Sequence, residues 1–444
     1  MLDKLSKLSI ALLISSSLYS AEFLLEDINA TKKNSSYIVL PYVFSSESMG
    51  FTAGAVGIFH GYYQPQMTMM ITAFAGESMD VEKINQDSNV QKDKARAAGF
   101  AFAVTGYKPS FSKRVFITFL GSYAYYPNQR LYLDGSNDST QDLKSNSLTP
   151  FQTQGYNNWA IIDFRYVLPF GESKRDILPV IKLDRGIAIN RDGVGGGVPF
   201  VTGQTILGTE FFYTKWTADK LVEEPAINTN GVRVYLRHDN TDYPDNPTRG
   251  YSFKLRTSFD VGAFNSSQSW NFLDAEYSHY IELPLLKHTR QNVIALNAWS
   301  AYSPSWQKGE KLNPDADTPI FDKHQPPMFE GARLGGWYRM RAYDSNRFSD
   351  KAAIYGSVEY RVIPEFNPLR AKSWMPVNID WFQGVLFAEI GRVAPKYDIG
   401  ELLSDMKYDV GFSIRALAAK LPVRFDMAFG EEGANMWVMV KQPF

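Results

Sequence analysis

The chain has no cysteine in 444 residues. Disulfide frameworks, thiolate nucleophiles, cysteine–zinc centres and cysteine-borne lipid anchors are therefore excluded. A charge excess of either sign is missing too, with 46 Lys and Arg against 47 Asp and Glu, a formal net charge of −1. Nucleic-acid binding usually shows as a basic excess, so no nucleic-acid partner is expected. Histidine is scarce, and His60, His238, His279, His288 and His324 are scattered along the chain. No G-x-S-x-G elbow, H-E-x-x-H pair or P-loop occurs, and each of those chemistries needs its residue types at fixed spacing. The glycines from Gly193 to Gly197 lead into Val198-Pro199 rather than a helix, so they do not cradle a phosphate. The acids of 80–93 and 134–142 lack the spacing of a calcium loop. His238 with Asp239 and Asp242 could form an acid–base group, but beside a turn a solvated cluster is the simpler reading. No enzymatic activity, metal or cofactor is expected.

What is present begins with a leader-like segment. Lys4 and Lys7 precede an apolar run from Leu8 to Leu18, followed by the small residues Ser20 and Ala21. That order predicts an export signal over 1–21, because such a run is too short for a hydrocarbon core of roughly 30 Å. A short periplasmic segment, 22–36, would follow. Beyond it no apolar run approaches the ~18 residues of a membrane helix. An exported chain of this kind is periplasmic, secreted or an outer-membrane β-barrel.

Periodicity decides among these. Tyr251, Phe253, Leu255, Phe259 and Val261 share one face with Thr257, while Ser252, Lys254, Arg256, Ser258 and Asp260 share the other. Val232, Val234 and Leu236 alternate with Arg233, Tyr235 and Arg237 in the same way. Successive strand side chains point to opposite faces, so these are strands apolar on one side and charged on the other. A soluble β-sandwich also alternates, but its strands average about 5–6 residues. The segments here run longer, and aromatics such as Tyr123, Tyr125, Tyr126, Phe211, Phe212, Tyr213 and Trp216 gather near segment ends, as interfacial girdles do. The expected fold is all-β: a monomeric transmembrane antiparallel barrel of about sixteen strands over 37–444. Strands are expected to start near 37, 50, 66, 98, 114, 157, 204, 229, 249, 269, 290, 352, 382, 407, 421 and 435. Connectors 77–97, 127–156 and 304–351 would then be outward loops. The stretch 169–203 fits poorly, being long yet on the periplasmic side. At the C-terminus Met436, Val438 and Val440 are in phase with Phe444, a terminal aromatic strand of the kind barrel-assembly machinery reads during biogenesis. Pro41 and Pro443 would remove ladder donors from the first and last strands.

Several segments carry a family resemblance. They are Asn246-Pro247-Thr248-Arg249-Gly250-Tyr251, then Met340-Arg341-Ala342-Tyr343 in the longest loop, then Gly356-Ser357-Val358-Glu359-Tyr360-Arg361 and Ala388-Glu389-Ile390-Gly391-Arg392, and lastly Leu421 to Asp426. Together they resemble the membrane domain of BamA/TamA-type outer-membrane assembly barrels, the bacterial surface antigen superfamily. The family has V-R-G-F/Y where this chain has Met340, Arg341, Ala342 and Tyr343. Ala in place of Gly implies an altered backbone at Ala342, since φ > 0 is unfavourable there. The resemblance implies that loop 304–351 enters the lumen and that Arg341 meets the carboxylates Glu359 and Glu389. The plain alternative is a solvated charge beside Arg333, Arg339 and Arg347. It also implies outer-membrane localisation among lipid and a role in protein assembly or translocation. No POTRA module is expected ahead of the barrel, so a periplasmic or envelope partner would have to supply recruitment. The alternative function is a passive channel or structural barrel plugged by loop 304–351.

Overall fold

The computed structural model describes residues 8–9, 23–27, 36–46, 48–84, 90–132, 151–191, 194–196, 198–220, 226–315, 321–370, 372, 378–418 and 420–444. Apart from Leu8–Ser9, the leader-like segment lies outside these residues, as do the acidic stretch 134–142, Gly193 and Gly197.

Sixteen strands form one antiparallel sheet in chain order. They are β1 Ser36–Ser46, β2 Gly50–His60, β3 Thr68–Ile84, β4 Val90–Tyr107, β5 Val115–Leu131, β6 Phe151–Val167, β7 Gln204–Thr217 and β8 Ala226–Asp239. The series continues with β9 Gly250–Val261, β10 Ser269–Glu282, β11 Thr289–Tyr302, β12 Ala352–Pro364, β13 Ile379–Ala394, β14 Lys407–Ala418, β15 Leu421–Gly430 and β16 Gly433–Val440. Every neighbouring pair from β1–β2 to β15–β16 is laddered, including β6 with β7. Among the described residues β1 and β16 share no ladder, so the sheet is open there. Leu8–Ser9 instead runs parallel along Met436 and Trp437 of β16.

The two faces of the sheet are inverted relative to a soluble sandwich. On β13 the outward Leu386 is 63% exposed, while Gln383 and Glu389 point inward and are buried. On β14 Val410 is 51% exposed and its neighbour Asp409 is buried. Arg165, Arg361, Arg415 and Arg424 are all buried on the inner face. Charge inside and hydrocarbon outside fit a wall surrounded by lipid, with the backbone groups of β2 to β15 paired along the ladder on both sides.

Three sequence expectations need correction. The stretch 77–97 is mostly strand, because β3 and β4 continue well past the apolar alternation. Asp80 pairs with Lys94 and Glu82 with Lys92, so cross-strand charge pairs extend the ladder where lipid-facing residues stop. The aromatic run of β7 is split by the pleat, with Phe211 and Tyr213 facing out while Phe212 and Trp216 turn into the lumen. The last strand ends at Val440, not Phe444. Lys441 adopts a left-handed φ of 71° and donates its N–H to Pro422 O at 2.6 Å. The chain thereby turns inward, and Phe444 stacks on Tyr280 at 6.4 Å. Pro443 therefore lies beyond the ladder, whereas Pro41 sits within β1 opposite Ala55.

Antiparallel order puts connectors after odd strands at one end of the barrel and those after even strands at the other. Most even connectors are short, but 168–203 is not. It contains the short strands Val180–Asp184 and Ile187–Ala188, which pair antiparallel, and Leu24–Asp27 adds in parallel to Val180–Asp184 to complete a three-stranded sheet. This strap crosses the lumen mouth. Ile177 and Leu178 pack on Phe116, Val167, Ile206 and Tyr235, while Ile187 reaches Ile363, Trp381 and Leu417 across the opening. Trp381 Nε1 donates to Gly186 O at 3.0 Å, and Arg290 Nη2 donates to Asp184 O at 2.9 Å. The misfit of 169–203 with a short turn is thus a folded strap.

The inverted wall yields a direct expectation. Leu386→Arg, at an outward position, lowers stability in lipid vesicles by about 2–4 kcal/mol if it lies near the bilayer midplane. Denaturant titration of the folded barrel, followed by tryptophan fluorescence, measures this; an unchanged midpoint would count against lipid contact at Leu386.

Candidate functional site

Residues 303–351 connect β11 to β12, and the described part from Phe321 onward folds back into the lumen. The short strands Ala332–Leu334 and Phe348–Asp350 pair to form a stem. At its end Gly335 has a φ of 103°, and a Cβ there would lie 2.2 Å from Asp344 O, so only glycine fits. Gly336 N then donates to Tyr343 O at 3.1 Å, and Tyr343 N to Met340 O at 3.0 Å. These bonds close a compact tip. The left-handed residue of the tip is Met340, with φ 57°. Ala342 does not adopt positive φ, so the strain expected from losing a glycine at that position is absent. Met340 is fully buried, and its contacts offset a backbone cost of about 1–3 kcal/mol.

Arg341 projects from this tip and is fully buried. Its Nη2 lies 2.9 Å from Glu359 on β12, its Nε 3.2 Å from Glu389 on β13, and its Nη1 3.6 Å from Asp426 on β15. The guanidinium also sits over the Phe387 ring, 3.5 Å from the centroid, a favourable cation–π distance. Burial alone would lower its pKa, but Glu389, Glu359 and Asp426 outweigh burial and hold it well above its ordinary value. The backbone is held as well: Arg341 N donates to Glu389 Oε2 at 2.6 Å and Ala342 N to Asp409 Oδ2 at 3.0 Å. Glu359 is shared with Arg361 at 2.7 Å and Arg415 at 2.8 Å, and Asp426 pairs with Arg424. Four guanidinium groups (Arg341, Arg361, Arg415, Arg424) thus stand among four carboxylates (Glu359, Glu389, Asp409, Asp426). Buried ion pairs survive only when partnered on all sides in this way.

The tip also reaches the last strand. Trp437 Nε1 donates to Arg341 O at 2.7 Å, and Asn435 Nδ2 donates to Ala342 O at 3.0 Å. Tyr343 OH donates to Tyr408 O at 3.1 Å. On the opposite wall Glu330 accepts from Arg233 Nε at 2.7 Å. The hairpin therefore spans the lumen, tied to β8 on one side and to β12–β16 on the other.

A family model described as the Omp85 superfamily domain matches residues 201–435. The chain belongs to the Omp85 superfamily. No curated protein matches it in sequence. Among solved structures, CdiB from Escherichia coli is similar over 93% of this chain and 62% of that one, at 11% identity and a TM-score of 0.53. That likeness supports a shared barrel fold. BamA from Haemophilus ducreyi lacking POTRA domains 1–3 is similar over 92% of this chain and 69% of that one, with 12% identity and a TM-score of 0.45. CdiB from Acinetobacter baumannii gives 92% and 59%, with 11% identity and a TM-score of 0.46. The chain thus spans less than two thirds of either CdiB.

Other candidates in this Omp85 barrel separate rather than converge. Met436, Val438 and Val440 are on the outward face of β16, opposite Met427, Phe425 and Val423 of β15, while Phe444 turns inward. His238 points outward, where Thr205 Oγ1 meets its Nδ1 at 2.9 Å. Asp239 accepts from Thr241 at the β8–β9 turn, and Asp242 accepts from the N–H of Thr248. These three form no acid–base group. Sequence reasoning missed Arg361, Arg415, Asp409 and the inner pairing of Arg424 with Asp426. A signal existed, because Arg415 and Arg424 lie directly opposite each other across β14 and β15. Two facing guanidinium groups require nearby acids. Between the hairpin and the strap lies a cavity of about 350 Å³, reached by Arg339 from above, Ile181 from below, and Lys254, Asp274 and Glu276 from the wall.

Charge reversal tests the docking. Arg341→Glu leaves Glu359, Glu389 and Asp426 facing a fourth carboxylate and costs about 3–5 kcal/mol. The variant barrel should lose heat resistance on gels and become cleavable within 303–351. Arg341→Lys, which keeps the charge but not the planar fork, should lose less. Unchanged heat resistance and cleavage in Arg341→Glu would remove the hairpin's dependence on this residue.

Proposed function

We propose that this chain is an integral barrel of the bacterial outer membrane that acts in the assembly or translocation of other proteins, together with an envelope partner. The observation that carries this reading is the superfamily match over 201–435, joined to a hairpin whose tip bonds to the edge strand of an open sheet. A weak seam between β1 and β16 would let a polypeptide strand or lipid enter from the side, and the docked hairpin touches that seam. In this reading residues 1–21 serve as an export leader, β16 is read by assembly machinery during biogenesis, and no catalytic step is involved.

The passive-channel reading has less support. The hairpin spans the lumen and the strap crosses its other end, so both lie in the path of a steadily open pore. Fold alone does not separate the two readings.

Cysteine pairs introduced across β1 and β16 provide the test, in a chain without native thiols. A host strain lacking the chain is complemented with the oxidised pair, and its envelope is surveyed for barrel proteins and surface-exported proteins. The trapped form should fail and reductant should restore it. Full complementation by the trapped form would overturn seam-based action, and steady bilayer conductance that rises on deleting 303–351 would favour the channel.

A further inference from the structure

The strap has two legs, and the second leaves the lumen. Residues 198–203 return to β7 over the outside of the rim. The Asn240 side chain fastens this leg: Gly195 N and Thr202 Oγ1 donate to its Oδ1 at 3.1 and 2.9 Å, and its Nδ2 donates to Gly196 O at 3.3 Å. Beyond this fastening Phe200 adopts a φ of 65°, uncommon for a bulky residue. That conformation lays its ring on the outer wall. The Phe200 ring lies 5.1 Å from His238 and 6.0 Å from Phe253, with Phe170 at 6.4 Å.

The register identifies the face. His238 is opposite Phe253 in the row where Leu236 is opposite Leu255, and Leu255 is exposed on the outer wall. His238 is thus an outward residue of the barrel, yet it is fully buried. Phe200 covers it. The flap itself is exposed: Val198 is 64% exposed, Phe200 42% and Val201 66%. No charged residue occurs from Val194 to Gly203.

We propose that residues 198–201 form an interfacial lipid-binding element, which inserts Val198, Phe200 and Val201 among the lipids at the turn end of the barrel. The occupant is lipid because the exposed flap is seated through Phe200 on Phe253, in the outward apolar row of Leu255, the surface that the proposed function places against hydrocarbon. The position also fits, since apolar and aromatic side chains at strand ends favour the headgroup boundary. Irregular backbone is excluded from the hydrocarbon itself, so the flap lies along the interface. The element would shield the imidazole of His238 from the bilayer and anchor one end of the strap.

The inference rests on the lipid-facing reading of the wall, and the test separates the two. Single cysteines replace Val201, Leu386 as a wall control and Glu365 as an aqueous control, each labelled with a polarity-sensitive dye. The full chain is folded into phosphatidylethanolamine–phosphatidylglycerol vesicles, with heat-modifiability checking the fold and Val198→Cys as a second flap site. Labels at Val201 and Val198 should be quenched by headgroup-proximal nitroxide lipids and several-fold less by iodide than the Glu365 label. Iodide quenching equal to that at Glu365 overturns the inference. Shielding from both quenchers overturns it as well, because protein then covers the flap. Failure of lipid quenching at Leu386 would instead overturn the lipid-facing wall.

Discussion

A guanidinium removed from water must be surrounded by acids, and this requirement organises the interior of the barrel. Arg341 meets Glu359, Glu389 and Asp426 at once, and these come from three different strands. Glu359 is in turn compensated by Arg361 and Arg415 and Asp426 by Arg424, while Glu389 accepts from the Tyr355 hydroxyl. The cluster therefore fixes a loop against four consecutive strands, β12 to β15. Uncompensated, any one of these groups would carry a penalty of several kcal/mol. The short stem, the glycine turn and the left-handed Met340 all serve to deliver one side chain to that place.

Much of the wall was legible in the sequence because a lipid-facing strand has to alternate. All sixteen strands begin within a few residues of where alternation of apolar and polar residues begins, apart from β4 and β6, which start earlier. Those two, with β3 and β5, extend beyond the lipid-facing zone, where facing charges in β3 and β4 and polar pairs such as Gln129 with Thr153 in β5 and β6 replace hydrophobic alternation and the usual signal disappears. Phe444 misled for a related reason: its phase with Val440 persists on paper, but Lys441 turns the chain and phase no longer determines direction.

At the site, Arg341, Glu359 and Glu389 were readable only through family-like segments. Alternation says that Arg415 or Asp426 points inward, but not which partner it meets, because curvature brings together strands far apart in sequence. The strap was harder still. Its contacts with Phe116, Trp381 and Leu417 depend on the diameter and curvature of the wall, and no local pattern in 168–203 encodes them. Gly186 against Trp381 shows this well, since a glycine is chosen by a residue almost two hundred positions away.

The bonds from Trp437 and Asn435 to the hairpin have a consequence for alignment. Strand side chains alternate with period two, so a slip of one residue would swing Trp437 and Asn435 outward and bring Met436 and Val438 into the lumen. Neither replacement can donate to the carbonyls of Arg341 and Ala342. The docked tip therefore matches a single setting of the last strand, and it acts as a vernier that reads whether the edge of the sheet is in register.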